Sequence, residues 1–144
     1  MGDRAALRAS AALLQAERTI THGGSKWCAV GLNERLRVLK YEPGDYFAPH
    51  KDGHYVRMQG VDPLTVGEPR DTSFLTLMIY LNTPAKGGET NFMNSRDESQ
   101  ISSVAPRAGA VLAFDHDITH EGALLESGVK YCVRTDVMYR RVRD

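Results

Sequence analysis

Residues 73–82 read SFLTLMIYLN, a turn-free run rich in β-branched and aromatic side chains, and the stretch from Pro84 to Gly88 closes it. That composition between turn residues predicts a strand. Its period of two puts Thr76, Met78 and Tyr80 on one face. Working outward, further short strands are expected at Glu34–Tyr41, Glu89–Met93, Gln100–Val104, Gly109–Phe114, Asp117–His120 and Val129–Tyr139, with a strong turn at Glu42-Pro43-Gly44-Asp45. Short strands at close spacing, separated by Gly and Pro, indicate an all-β sandwich or barrel. No internal repeat interrupts the pattern.

Two stretches depart from it. Residues Arg4 to Arg18 carry Ala5, Leu7, Ala11 and Leu14 at near-helical spacing and predict one amphipathic helix, which the His22-Gly23-Gly24-Ser25 break ends. The stretch from Tyr55 to Asp71 holds Gly60, Pro63, Gly67 and Pro69 and shows no clear period, so it reads as a long loop. Loops of that length in compact domains are usually functional or disordered, and its place after His50 and Asp52 suggests a mobile lid.

A chain of 144 residues is the size of one domain, here expected to span 1–144, with a helix and lead-in over 1–32 and a β core over 33–140. Eighteen basic and eighteen acidic side chains cancel, so no global charge draws the protein to nucleic acid or to an anionic membrane. Cys28 and Cys132 are too few for a disulfide framework and lack C-x-x-C spacing. The N-terminus, interrupted by Asp3, Arg4 and Arg8, does not resemble a signal peptide, and no run reaches the ~20 apolar residues of a membrane span. A soluble intracellular protein, of cytoplasm or nucleus, is the expectation.

Chemistry enters at His50-Lys51-Asp52. Residues i and i+2 of an extended chain point to the same side, so one imidazole and one carboxylate can converge on an ion. The motif alone is weak, because five histidines and ten aspartates make a chance H-x-D common. His120, 68 residues after Asp52 and following the strand-like run Pro106 to Phe114, supplies a second imidazole. Two histidines and a carboxylate leave open positions on iron and suit oxygen chemistry. A helical pair of His116 and His120 is the competing arrangement, but the glutamate of H-E-x-x-H is absent and AVLAF reads as strand. His22 is expected to be solvated in its glycine-rich turn, and His54 to sit at the surface or on the substrate side.

In the strand from Val129 to Val137, Lys130, Cys132, Arg134 and Asp136 share one face and Val129, Tyr131, Val133 and Val137 the other. Periodicity alone turns the charged face to solvent. The alternative turns its cations into a pocket, where they would grip a carboxylate through charge-assisted hydrogen bonds.

Taken together, these segments resemble the Fe(II)/2-oxoglutarate-dependent dioxygenases, and within them the prolyl and lysyl hydroxylase group. The resemblance runs from about Leu36 to Tyr139. It is carried by the run ending Tyr41-Glu42-Pro43-Gly44, by His50-x-Asp52, by TLMIYLN from Thr76 to Asn82, and by Gly87-Gly88-Glu89-Thr90. It continues through P-x-x-G-x-x-L-x-F ending at Phe114, His120-Glu121-Gly122, and Gly128-x-Lys130-Tyr131. It implies a double-stranded β-helix (jelly-roll, cupin-like) with an N-terminal supporting helix, although only about thirty residues precede the first core strand, fewer than is usual in the family.

By the same resemblance His50, Asp52 and His120 hold Fe(II), and Lys130, ten positions after His120, binds the distal carboxylate of 2-oxoglutarate. Tyr80, Thr76 and Tyr41 match positions lining that cosubstrate pocket. Arg134 shares the face of Lys130 and competes for the clamp, since a guanidinium fork suits a carboxylate; spacing favours Lys130. The implied activity is hydroxylation of a peptidyl residue such as proline, coupled to decarboxylation of 2-oxoglutarate, with ascorbate as a candidate reductant. A small-molecule or nucleic-acid oxygenase on the same fold, a cupin-like metalloprotein and an inactive β-helix binding module are the alternatives; a neutral chain without a basic-aromatic stripe makes nucleic acid the least attractive substrate.

Overall fold

The computed structural model describes residues 19–58, 69–93 and 101–142, all of them in strands, turns and connections. Two twelve-residue antiparallel strands, β6 (Pro69–Tyr80) and β13 (Lys130–Arg141), pair along most of their length and form the spine of the larger sheet. On its free side β13 pairs first with β3 (Arg37–Tyr41) and then with β2 (Ser25–Leu32), to which β1 (Thr19–His22) adds an edge. On its own free side β6 pairs with β5 (Val56–Met58) and with β10 (Val111–Asp115). A smaller antiparallel sheet runs β4 (Phe47–His50), β11 (His120–Gly122), β8 (Thr90–Met93), β9 (Ile101–Val104). Two short strands, β7 (Lys86–Gly87) and β12 (Leu125–Ser127), pair between them in sequence. This is the jelly-roll arrangement of a double-stranded β-helix, with two antiparallel sheets facing a common interior.

The core lies at one end of the large sheet, where Phe74, Leu77, Val137 and Tyr139 are buried and Trp27, Ile20, Ala29, Leu75 and Ile79 pack on them. Trp27 meets Phe74 edge-on with ring centroids 5.0 Å apart, a favoured aromatic geometry. Emptying such a site, as in Phe74→Ala, would cost about 3–5 kcal/mol. The opposite end, toward Lys130 and Tyr80, holds polar and ionisable groups instead.

Several expectations change. The His22–Ser25 break is a two-residue hairpin turn between β1 and β2, with Gly23 and Gly24 at φ +57° and +73°. Only residues tolerant of positive φ close so tight a turn with the twist that strands require. The strand expected from Glu34 starts at Arg37, because Asn33 holds the preceding backbone away: its side-chain oxygen accepts the Arg35 N–H at 3.1 Å. The strand expected at Asp117–His120 begins only at His120. Asp115 turns the chain first, its carboxylate accepting the Asp117 N–H (2.8 Å) and its carbonyl the Ile118 N–H (3.1 Å).

The 55–71 stretch is not loop throughout. Val56, Arg57 and Met58 pair with Thr72, Asp71 and Pro69, making its two ends the stem of a hairpin. Charged residues in that stem hide the strand alternation. Of the Tyr55–Asp71 stretch expected to form a lid, residues 59–68 lie outside the described residues, as does the helix expected over residues 4–18. The face of β13 that periodicity turned to solvent points inward: Lys130 is 2% exposed, whereas Tyr131 on the other face is 39% exposed. Among the described residues, no helix is long and apolar enough to cross a membrane.

Candidate functional site

Strand pairing brings the two site histidines together. His120 on β11 and His50 on β4 are direct Cα partners across the small sheet, and their ring centroids lie 4.3 Å apart. Each ring is oriented from behind in the same way. His50 Nδ1 donates to the Ala48 carbonyl at 2.8 Å and His120 Nδ1 to the Ile118 carbonyl at 2.9 Å. A carbonyl can only accept, so both rings carry a proton on Nδ1 and turn Nε2 inward, and the neutral form of such a ring is the tautomer a metal ligand needs.

Asp52 completes the group. Its Oδ1 lies 3.7 Å from His50 Nε2 and its Oδ2 3.8 Å from His120 Nε2. Among the described residues, His50, Asp52 and His120 are the set whose ligand atoms all fall within 4.8 Å of one another. Asp52 and His120 are buried and His50 half-buried. Burial keeps the His120 imidazole below its ordinary pKa, which favours the neutral ring. The donor set, two imidazoles and a carboxylate on one side, fits Fe(II) with open positions opposite.

A cavity of about 100 Å³ opens from these histidines, walled by Leu39, Tyr41, Phe47 and Met78 and by three cations, Arg37, Lys130 and Arg134. The β3–β13 register explains the cations, since Lys130 faces Tyr41, Cys132 faces Leu39 and Arg134 faces Arg37. Lys130 Nζ donates one hydrogen bond, to the Gly88 carbonyl at 2.7 Å, and sits 4.7 Å from the centre of the Tyr41 ring. An ammonium has three donors, so two remain for a ligand. Burial lowers the Lys130 pKa, the mark of a cation held out of water. Arg134 Nη2 pairs with Asp52 Oδ1 at 2.6 Å, while its buried Nε has no hydrogen-bond partner. Spare buried donors above apolar walls suit a small dicarboxylate such as 2-oxoglutarate.

The other sequence-predicted residues fall differently. Tyr41 lines the cavity, as do Lys130 and Arg134. Tyr80 is fully buried behind it, its hydroxyl 2.7 Å from Thr90 Oγ1 and its ring 5.8 Å from Lys130 Nζ. Burial pushes both tyrosine hydroxyls up in pKa. Thr76 lies outside the cavity wall and donates its hydroxyl hydrogen to Asp52 Oδ2. His22 and His54 stand apart from the cavity, both ring-packed on Phe74.

Sequence reasoning missed His116. It is fully buried, with Nδ1 3.0 Å from Thr76 Oγ1 and Nε2 2.9 Å from Ser73 Oγ, and its carbonyl accepts the Asp52 N–H at 3.0 Å. Burial lowers its pKa. The signal available was a histidine just past a strand end, indistinguishable in sequence from a surface turn residue.

Known proteins resemble the chain along these lines. A family model described as the 2OG-Fe(II) oxygenase superfamily matches residues 36–135. A fowlpox virus protein, "Uncharacterized protein FPV006/FPV255", is 28% identical over 113 residues, which are 78% of this chain and 23% of that protein. The chain thus spans about a quarter of that relative's length. Among solved structures, the viral collagen prolyl hydroxylase of Paramecium bursaria Chlorella virus-1, in complex with 2OG, superposes with a TM-score of 0.58 at 24% identity, covering 92% of this chain and 68% of that one. A Trichoplax adhaerens prolyl hydroxylase, in complex with a hypoxia inducible factor oxygen degradation domain peptide fragment, gives 0.59 at 17% identity, with coverages of 91% and 54%. A Pseudomonas putida prolyl-4-hydroxylase gives 0.52 at 17% identity, with coverages of 96% and 85%. At these identities the likeness establishes the shared fold.

Proposed function

Because the chain belongs to the 2OG-Fe(II) oxygenase superfamily, we propose that it is a hydroxylase of a peptidyl proline or similar residue, with His50, Asp52 and His120 holding Fe(II) and Lys130 clamping 2-oxoglutarate. The observation that carries this reading is the convergence of two Nε2 atoms and a carboxylate within 4.8 Å, beside a cavity that ends at a buried ammonium. Held by these residues, Fe(II) would supply oxidation by O₂ coupled to decarboxylation of 2-oxoglutarate, with succinate, CO₂ and the hydroxylated substrate as products and one atom of O₂ in each of the succinate and the hydroxyl group.

The chain's own residues supply placement and charge. Lys130 neutralises the far carboxylate of the cosubstrate and fixes its reach toward the histidines. Leu39, Met78 and Phe47 keep water from its methylenes, which strengthens the ionic contacts in the cavity. Arg134 holds one Asp52 oxygen and Thr76 the other, so the carboxylate cannot swing. Tyr46 and Phe47, 67% and 48% exposed, offer apolar surface for a peptide, Phe47 at the cavity wall itself. A peptide substrate agrees with the peptide bound by the Trichoplax neighbour. Ascorbate would serve as the reductant that returns oxidised iron to Fe(II).

The test is anaerobic addition of Fe(II) and 2-oxoglutarate while watching for the visible charge-transfer band of the chelate. The band is expected in wild type and absent in Asp52→Ala. Succinate release with proline-containing peptides then reads the substrate class. A wild-type protein that gives no band refutes the iron and cosubstrate assignment.

A further inference from the structure

A chain of hydrogen bonds runs from the backbone of the β5–β6 hairpin stem to the Asp52 carboxylate, and the chemistry of its two ends fixes its direction. At one end an ionised carboxylate can only accept, so Thr76 must donate its one hydroxyl hydrogen to Asp52 Oδ2. With that hydrogen spent, the contact between Thr76 Oγ1 and His116 Nδ1 (3.0 Å) requires Nδ1–H as the donor. At the other end the Tyr55 N–H donates to Ser73 Oγ at 2.8 Å, and Ser73 turns its own hydrogen to His116 Nε2 at 2.9 Å, which must therefore be bare. A second proton on the ring would leave the Ser73 hydrogen without an acceptor among the described residues, inside a fully buried cluster.

We infer that His116 is a positioning residue, locked as the neutral Nδ1–H tautomer, which aligns the Asp52 carboxylate for metal through Thr76 and ties that alignment to the hairpin stem at Tyr55. The inference rests on the proposed role of Asp52 as an iron ligand. It goes further by assigning the aligning group, its tautomer and its proton polarity. Two independent contacts make His116 the hinge of the arrangement: its ring orders the Asp52 side chain through Thr76, and its carbonyl holds the Asp52 backbone N–H. Side-chain substitution tests the first contact and leaves the second in place.

Two measurements decide it. Long-range ¹H–¹⁵N spectra of the imidazoles in metal-free wild type should show His116 with a protonated Nδ1 and a bare Nε2. An Nε2–H tautomer or a doubly protonated ring overturns the inference, whatever metal does. Anaerobic titration with Fe(II) alone should then give an affinity about 10–100-fold weaker in His116→Leu, the usual effect of losing an outer partner. His116→Asn, which can offer an amide N–H near the Nδ1 position, should recover most of it, and Thr76→Ser should bind better than Thr76→Val. Equal affinities in wild type and His116→Leu overturn the inference too. Failure of wild type itself to bind Fe(II) refutes the functional reading instead, and is recognised separately because the tautomer is read without metal.

Discussion

Arg134 Nη2 lies 2.6 Å from Asp52 Oδ1, whereas Lys130, four residues earlier on the same face of β13, spends one of its three donors on the Gly88 carbonyl. The two cations competing for the cosubstrate carboxylate are therefore not equivalent: one is engaged by the metal-site carboxylate, the other is buried with donors to spare. Losing charge-assisted hydrogen bonds costs about 1.5–3 kcal/mol. Lys130→Ala is accordingly expected to raise the 2-oxoglutarate KM by about 10–150-fold, from the same energies. Arg134→Ala should leave that KM within a few-fold and disturb Fe(II) binding instead. Steady-state kinetics with saturating iron check the order, and the reverse order reassigns the clamp to Arg134.

Lys130 should also make cosubstrate binding pH-dependent. Burial puts its folded pKa below the ordinary lysine value of about 10.4. Since the carboxylate needs the ammonium, 2-oxoglutarate affinity falls as pH rises through that lowered pKa. Tyr41 and Cys132 are both pushed upward by burial, and a Cys132→Ser control removes the nearby thiol. The stability effect has the opposite sign: between the folded and unfolded lysine pKa values the unfolded chain holds more protons, so this group's destabilising burial is relieved as pH rises. Calorimetric titration across alkaline pH tests the binding effect, and an affinity constant up to about pH 10.4 contradicts it.

What could be read in advance follows from periodicity. The strand at SFLTLMIYLN was legible because a run rich in β-branched and aromatic residues is closed by turn residues, and strand parity then placed Thr76, Met78 and Tyr80 together, of which Met78 lines the cavity. The convergence of His50, Asp52 and His120 was legible because their order and spacing carry the family resemblance. Periodicity alone could not reveal the inward turn of Lys130 and Arg134, since a charged face looks the same in sequence whether it meets water or an anion; only the family resemblance turned these cations toward a pocket. His116 was hidden for a related reason: its partners, Ser73 and Thr76, lie 43 and 40 residues away, on a strand that only folding brings close. The β5 stem was masked by Arg57, whose partner Asp71 is likewise a tertiary fact.

Asp71 should be a stability determinant away from the cavity. It is fully buried, takes Arg57 Nη1 at 2.8 Å and Arg140 Nε at 2.8 Å, and so ties the hairpin stem to the end of β13. Burial pushes its carboxyl up in pKa, but the hydrogen bonds from Arg140 and Arg57 outweigh this and hold it below the ordinary value. A folded pKa below the unfolded one, about 3.9, gives stability that is present above about pH 4 and lost as pH falls through the folded pKa. Asp71→Asn is expected to cost about 1.5–3 kcal/mol in denaturant unfolding at neutral pH. Its stability should also lose part of the wild-type decline in acid. Matching acid profiles in the two proteins contradict the clamp.

Gly88 links chain conformation to the cosubstrate clamp. Its φ of +78° lies where a Cβ is strained, and a Cβ there would stand 3.2 Å from both Lys130 Cδ and Leu125 Cδ1. The same residue's carbonyl accepts the Lys130 ammonium. Gly88→Ala therefore strains the backbone by about 1–3 kcal/mol and pushes on the lysine stem at the point that aims its charge. The expected outcome is a raised 2-oxoglutarate KM with Fe(II) affinity kept, because His50, Asp52 and His120 are oriented by Ala48, Thr76 and Ile118 rather than by Gly88. The neighbouring Gly87 gives the contrast: a Cβ there would meet the Leu124 carbonyl at 2.3 Å, a backbone clash that cannot yield. Gly87→Ala should thus lower the unfolding midpoint more than Gly88→Ala does. A Gly88→Ala protein with unchanged cosubstrate KM would show that Lys130 reaches its ligand independently of this turn.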